Sequence, residues 1–330
     1  MTTVSVLRMT RATWYKHRFS VAGIPAVFLL AALALFADGA AQRHWLSVHH
    51  LNGCLAADPT TGGSWCVGSA AWDTASIPGT SQNPDVIAVA VLALPVLAGL
   101  FAGVPWVARE FESGAFRFTW TQGTSPRHWL LGTFGPLVLL AAVSAAICGA
   151  AAYWWYQVAQ WQTDTSIWSW RWSSFELTPL SIAGWTVLTM ALALLCGVLI
   201  RRVLPAMIAF LVTLGACAYL SQTWLRPWLF GIGTTVQQVS SSTSAGWPPS
   251  TTAYTVQTWL QTPSGQRVTG LPAANNVSAW IAQHHDTFWV AYQPHNHLIW
   301  LELARNGILI TVAAFAVLAS VWWLRIRPAD

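Results

Sequence analysis

The chain has 330 residues, of which 55% are hydrophobic and only 8% charged, where a soluble domain carries about 25% charged residues. That leaves too little charge to cover a water-facing surface and excludes a soluble globular fold. The net charge of +5 is scattered beside apolar runs rather than gathered in a stripe, which reads as membrane topology and not as a nucleic-acid-binding patch.

Residues 1–20 are a basic amphipathic lead carrying Arg8, Arg11, Lys16 and Arg18. The first apolar run, Val21 to Ala37, opens a series of five spans over residues 21–220. A membrane helix needs about 20 mostly apolar residues. Ala37-Asp38-Gly39-Ala40-Ala41 resembles a signal-peptide cleavage site, but the run is longer than most signal h-regions and its basic lead is long, which favours a retained span. The outer loop 38–85 is rich in Gly, Ser, Thr and His and holds Cys54 and Cys66. A disulfide between them would clamp a loop with little core of its own, if its compartment is oxidising; the alternative is two free thiols. Cys148, Cys196 and Cys217 fall in spans and read as small apolar residues.

The second run, Val86 to Ala108, contains Pro95 and Pro105, and the third, Trp129 to Tyr156, contains Pro136. Each proline removes a backbone donor and should kink its helix, which membranes tolerate when neighbours satisfy the freed groups. The third run is longer than a bilayer requires and should project from it. The outer loop 157–178 holds Trp161, Trp168, Trp170 and Trp172, spaced to suit an interfacial segment. Runs four and five, Pro179 to Ile200 and Val203 to Leu220, are separated only by Arg201-Arg202 and should form a helical hairpin. The segment 221–297 is the one outer region large enough for a small ectodomain. In it, Tyr254 to Leu260, the turn Pro263-Ser264-Gly265 and Arg267-Val268-Thr269 read as a β-hairpin, and Asn276 to Val290 reads as helical. The sixth run, Gly307 to Leu324, lies in the final segment 298–330 with a basic tail. The fold class is therefore an all-α polytopic membrane protein with six spans and a small extracytoplasmic segment containing a β-hairpin.

Arginine and lysine in the flanks give the orientation. With the N-terminus inside, the inner segments hold Arg8, Arg11, Lys16, Arg18, Arg109, Arg117, Arg127, Arg201, Arg202, Arg325 and Arg327, and the outer ones hold Arg43, Arg171, Arg226, Arg267 and Arg305. Eleven against five places both termini in the cytoplasm of a multi-pass plasma-membrane protein.

The chemistry-bearing residues are few. Lys16 is the only lysine and has no glycine-rich turn before it, so the chain has no phosphate-binding P-loop of its own. His44, His49, His50, His284, His285, His295 and His297 fall outside. They lack a tight ligand motif, and solvated or hydrogen-bonding histidines are the simpler reading than a metal site. Glu302 and Arg305 are spaced i, i+3 before the sixth run and should form an interfacial ion pair. Structural pairing is favoured over a proton relay. Neither G-x-S-x-G nor H-E-x-x-H occurs, and no acid lies inside a core run. Both facts argue against a hydrolase, an intramembrane protease or an ion-coupled carrier.

The inner loop is the most specific stretch. It runs Arg109-Glu110-Phe111-Glu112-Ser113-Gly114-Ala115-Phe116-Arg117-Phe118-Thr119-Trp120-Thr121-Gln122, and in bare structural terms is a short amphipathic helix and a turn. It resembles the Arg-Glu-x-Glu-x-Gly-x-x-Arg-x-x-Trp-Thr-Gln loop of the membrane subunit of type-2 ABC exporters, especially actinobacterial-type permeases. The residues matching that pattern are Arg109, Glu110, Glu112, Gly114, Arg117, Trp120, Thr121 and Gln122, while Ala115 stands where threonine is usual. Tyr292-Gln293-Pro294 also resembles a family element before the last span, with His295-Asn296-His297 replacing its usual continuation.

The resemblance implies a permease with an interfacial elbow helix at its N-terminus and a coupling helix in this loop. It implies pairing with a second permease (an identical chain or a paralogue) and with separate ATP-binding subunits. No cofactor would bind the chain directly, ATP and Mg being held by the partner. Two other classes stay open: a membrane-embedded enzyme or assembly factor using the outer loops, and a non-transporting sensor or immunity protein on the same scaffold.

Overall fold

A computed structural model describes residues 6–49, 84–114, 126–159, 175–239, 254–269, 283–294 and 297–326. Six of its helical stretches are long and apolar enough to cross a bilayer: Ala22–Val48, Val86–Glu112, Phe134–Gln157, Pro179–Ile200, Val203–Gly231 and Ile299–Ile326. They are the six spans expected, with ends that differ.

Span one belongs to a single 43-residue helix, α1 (Val6–Val48), about 64 Å long at about 1.5 Å per residue. The basic lead is thus continuous with the span in one helix, which contains Pro25. Asp38 and Gly39 do not interrupt it. The Asp38 carboxylate accepts hydrogen bonds from Gln42 Nε2 (2.8 Å) and from Trp155 Nε1 of span three (2.7 Å), so a polar side chain inside the helix is satisfied laterally. Span three, α4 (Pro126–Ala159), has 34 residues and outreaches a hydrocarbon core of about 30 Å.

Span two is built from α2 (Pro84–Ala98), a π turn (Gly99–Gly103) and α3 (Val104–Glu112). In the π turn the Val104 N–H donates to Gly99 O, one residue further back than in an α-helix. The next residue is Pro105, which has no N–H. The same arrangement recurs after span five. There α6 (Val203–Leu220) passes into a π turn (Ser221–Leu225), Arg226 N–H donates to Ser221 O, and Pro227 follows in α7 (Arg226–Gly231). The chain meets each missing donor by widening the preceding turn, a local irregularity that is frequent at functional positions. The kink expected at Pro105 takes this form.

Span four, α5 (Pro179–Ile200), is the central helix, with 72% of its most apolar window buried, and it packs against spans two, three, five and six. Its start is defined chemically. Thr178 is extended and its side chain accepts from Ser181 N, with proline at the first helical position. Its end is equally sharp: Arg201 adopts a left-handed conformation (φ 58°) and donates its N–H to Gly197 O. Span five begins two residues later, which forms the expected hairpin.

Association in lipid relies on close packing of small residues rather than on a hydrophobic force between helices. On span three, Ala141, Ala145, Cys148 and Ala152 recur at helical spacing and are fully buried. Gly149 beside them allows backbone contact with span four, since a Cβ there would lie 2.7 Å from the Pro179 Cα. One apolar core joins spans one, two, three, four and six, and a second joins spans two, four, five and six.

Beyond span five lies a four-stranded antiparallel sheet of order β1-β4-β2-β3, made of β1 (Thr235–Val239), β2 (Tyr254–Gln261), β3 (Arg267–Thr269) and β4 (Thr287–Gln293). The β2–β3 hairpin is the one expected, closed by Thr262 N donating to Gln266 O at 3.0 Å and by Gly265 at φ 85°. The helix expected over Asn276 to Val290 is corrected at its end. Residues 287–290 belong to β4, which pairs with both β1 and β2. Its Thr-Phe-Trp-Val-Ala-Tyr-Gln sequence is rich in β-formers and begins with burial alternating along the strand. Residues 276–282 lie outside the described residues. The sheet is tied back to the helices by Gln293, whose side-chain amide donates to Phe230 O (2.9 Å) and Ile232 O (2.6 Å). The chain then enters span six through α8 (Leu298–Ile326).

Candidate functional site

Two regions concentrate polar groups, one at each end of the bundle. The first is where span two ends beside the Arg201-Arg202 turn. Helix α3 buries Val104, Trp106, Val107, Ala108, Glu110 and Phe111 and leaves Arg109 and Glu112 exposed. It lies tightly along span four: a Cβ on Gly103 would sit 2.8 Å from Ala193, and one on Gly197 would sit 3.0 Å from Val107. The helix stops at Ser113, whose N–H donates to Arg109 O, and Gly114 follows at φ 67°, a left-handed stop that suits glycine.

Two contacts then cross to the hairpin turn. Val203 N–H, at the start of span five, donates to Glu112 Oε1 at 2.9 Å. Span five has no capping side chain at its own N-cap, Arg202. Glu112 therefore meets one of the free donors at a helix start and places negative charge at the positive end of its dipole. The Arg201 guanidinium lies 5.7 Å from the Phe111 ring centroid, within cation–π range. Of the loop residues singled out in the sequence, Arg109, Glu110, Glu112 and Gly114 are thus placed at this junction. Arg117, Trp120, Thr121 and Gln122 lie outside the described residues, as do Cys54 and Cys66.

The second region, at the sheet end, is a buried ionic cluster. Arg305 and Glu176 form an ion pair at 2.7 Å with side chains 2% and 4% exposed. At contact distance Arg305 takes Glu176, which stands just before span four, rather than the expected Glu302; Glu302, one turn back on the same helix, still attracts the guanidinium. Helical spacing brings residues i and i+3 onto one face, but a charge from a distant segment is the partner at contact distance, and the two groups are buried together.

Glu176 is fully engaged. Oε1 accepts from Arg305 Nη1 and from Gln222 Nε2 (3.2 Å), and Oε2 accepts from Ser181 Oγ (3.1 Å) and Trp185 Nε1 (3.1 Å). Arg305 Nη2 also donates to Ser181 Oγ, and the guanidinium stacks 4.2 Å from the Phe175 ring centroid. The cluster joins span four, the π turn after span five, and span six. Asn306 completes it: its amide donates to Glu302 O at 2.8 Å, while its Oδ1 sits against Gly184, where a Cβ would lie only 2.1 Å away. Spans four and six are held together there at near-backbone distance.

A smaller cluster links spans one and three. Arg43 donates to Trp154 O (3.1 Å) and lies 4.4 Å from that indole ring centroid, next to the Asp38–Trp155 bond. Of the histidines, His284 and His285 are exposed, and His297 Nδ1 sits 3.0 Å from Gln293 Oε1. His295 lies outside the described residues.

Sequence reading missed Glu176, Ser181, Trp185 and Gln222. The available signal was a lone acid two residues before a Thr-Pro helix start. Its partner is 129 residues away, which no local pattern reveals.

No characterised protein and no solved structure matches the chain significantly. A family model described as ABC-2 membrane transporter related matches residues 10–226. That range takes in spans one to five, the loop between spans two and three, and the 4–5 hairpin; the sheet and span six lie beyond it. With well over half of the chain matched and six apolar helices of spanning length, the chain belongs to the ABC-2 membrane transporter related family.

Proposed function

We propose that the chain is the permease subunit of an ATP-driven exporter of the cytoplasmic membrane, with both termini in the cytoplasm. It works with separate ATP-binding subunits and a second permease, and moves its substrate outward. The observation that carries the reading is the junction at the Arg201-Arg202 turn. The loop that follows Glu112 emerges beside the 4–5 hairpin, so one docking subunit could press on two turns at once. The excess of flanking Arg and Lys at this end supports a cytoplasmic position, where ATP is available. Arg109, Glu110, Glu112, Gly114, Arg117, Trp120, Thr121 and Gln122 form the coupling loop in this reading. ATP and Mg are held by the partner, which agrees with a chain whose single lysine lies outside any P-loop. Closure of two ATP-binding subunits would move the loop, and the tightly packed α3 would pass the displacement to span four.

Co-purification tests this. A P-loop ATPase should accompany the full-length chain in mild detergent, and Glu110→Ala should leave the pair assembled but reduce ATP hydrolysis. A chain that is stable and active with no ATPase companion contradicts the reading.

A further inference from the structure

We infer that Glu112 is a positioning residue that acts inside this chain, delivering movement of the coupling loop to span five by capping that helix. The inference rests on the permease reading and specifies a route within it. Family resemblance alone would have Glu112 face the ATPase. The structure gives its carboxylate a different partner: Oε1 accepts from the Val203 N–H at 2.9 Å, across 91 residues of sequence. Arg202, the residue at the N-cap, supplies no side-chain acceptor of its own. Span five therefore borrows its cap from span two.

The surroundings make that cap a mechanical link. Helix α3 and the glycine that precedes it pack closely on span four, at Val107–Gly197 and at Gly103–Ala193. The π turn Gly99–Gly103 separates α3 from α2, and π turns are frequent at functional sites. A push on the loop is then carried by α3 as a rigid piece. Span four receives it through packing and span five through the Glu112 carboxylate. Span five is the least buried of the six spans. It packs on α3 and on span four, and the cap adds a directed polar tie at its first turn beside that packing.

The test uses the full chain with its co-purified ATP-binding subunits in lipid nanodiscs. Trp224→Cys, at the far end of span five and 73% exposed, reports movement as the difference in maleimide labelling between ATP and ADP. With Glu112 intact the label responds to ATP. Glu112→Ala removes the acceptor and should shrink the response about fivefold, the size expected from losing a cap of about 1 kcal/mol, with complex assembly unchanged. Glu112→Gln keeps an oxygen at the same reach and should retain most of the response, which a role as a charge facing the ATPase would not allow.

A purely stabilising role is separated by Glu112→Ala with Arg202→Asn. The asparagine gives span five a local cap and recovers stability without restoring the tie, so the response should stay low. An unchanged response in Glu112→Ala overturns the inference, as does rescue by Arg202→Asn or the absence of any ATP response in the parent. Failure of the parent chain to bring down an ATPase overturns the permease reading itself, and the inference falls with it.

Discussion

Removing Glu176 should destabilise the helical bundle more than any other single polar substitution at the sheet end. The carboxylate sits 4% exposed and satisfies four donors from three elements: Arg305, Gln222, Ser181 and Trp185. In Glu176→Ala, Arg305 stays 2% exposed with its ion-pair partner gone, and the Trp185 N–H loses its acceptor. Breaking a buried pair from one side costs about 3–5 kcal/mol, which lowers the folded-to-unfolded ratio by roughly two to three and a half orders of magnitude. Replacing both members with apolar groups should cost less, because no buried guanidinium is left without Glu176. Glu176→Leu with Arg305→Met is thus expected to be more stable than Glu176→Ala alone. The assay is the fraction of monodisperse chain surviving a heat ramp in detergent, followed by size-exclusion fluorescence for parent, both single variants and the pair. A Glu176→Ala chain as heat-resistant as the parent, or a double variant weaker than both singles, would refute the reasoning.

Three further outcomes follow from the packing. Gly149→Val should loosen the contact of spans three and four, since its Cβ would already lie 2.7 Å from the Pro179 backbone; overpacking of this kind costs about 1–3 kcal/mol, read as a lower heat-ramp midpoint. Gln293→Ala should leave two carbonyl acceptors, Phe230 O and Ile232 O, without their donor. That loss is worth about 1–3 kcal/mol, visible as faster proteolysis of the sheet with the spans intact. Alkylation of unreduced full-length protein should leave Cys54 and Cys66 unlabelled until reductant is added; immediate labelling of both would show two thiols.

The spans were legible because their signal is local: each is a run of apolar residues long enough for a bilayer, and chain composition leaves no other solvent. The 4–5 hairpin and the β2–β3 hairpin were legible for the same reason, being set by Arg201-Arg202 and by Pro263-Ser264-Gly265 within a few residues. What was hidden depends on contacts between distant segments. Asp38 and Gly39 looked like a break after span one, yet a neighbouring indole satisfies Asp38 and the helix continues. Span five ran past Leu220 because a π turn absorbs the proline that follows. The Glu302–Arg305 spacing was sound as helix geometry, but the acceptor at contact distance stood 129 residues away, just before span four. Strand β4 was read as helix because only its partners β1 and β2, 26 or more residues away, give it a sheet to join. In the loop after span two, the sequence singled out Glu112 but could not show that Val203 is its partner.

On the proposed function, this chain is one part of a machine whose motor is another polypeptide. The most direct test is to purify the full-length chain from its native membrane in mild detergent, identify what accompanies it, and measure ATP hydrolysis by the eluate. The account predicts a stoichiometric P-loop ATPase whose hydrolysis is sensitive to substitution at Glu110. A homogeneous chain that carries out its activity with no ATP-hydrolysing companion would contradict it.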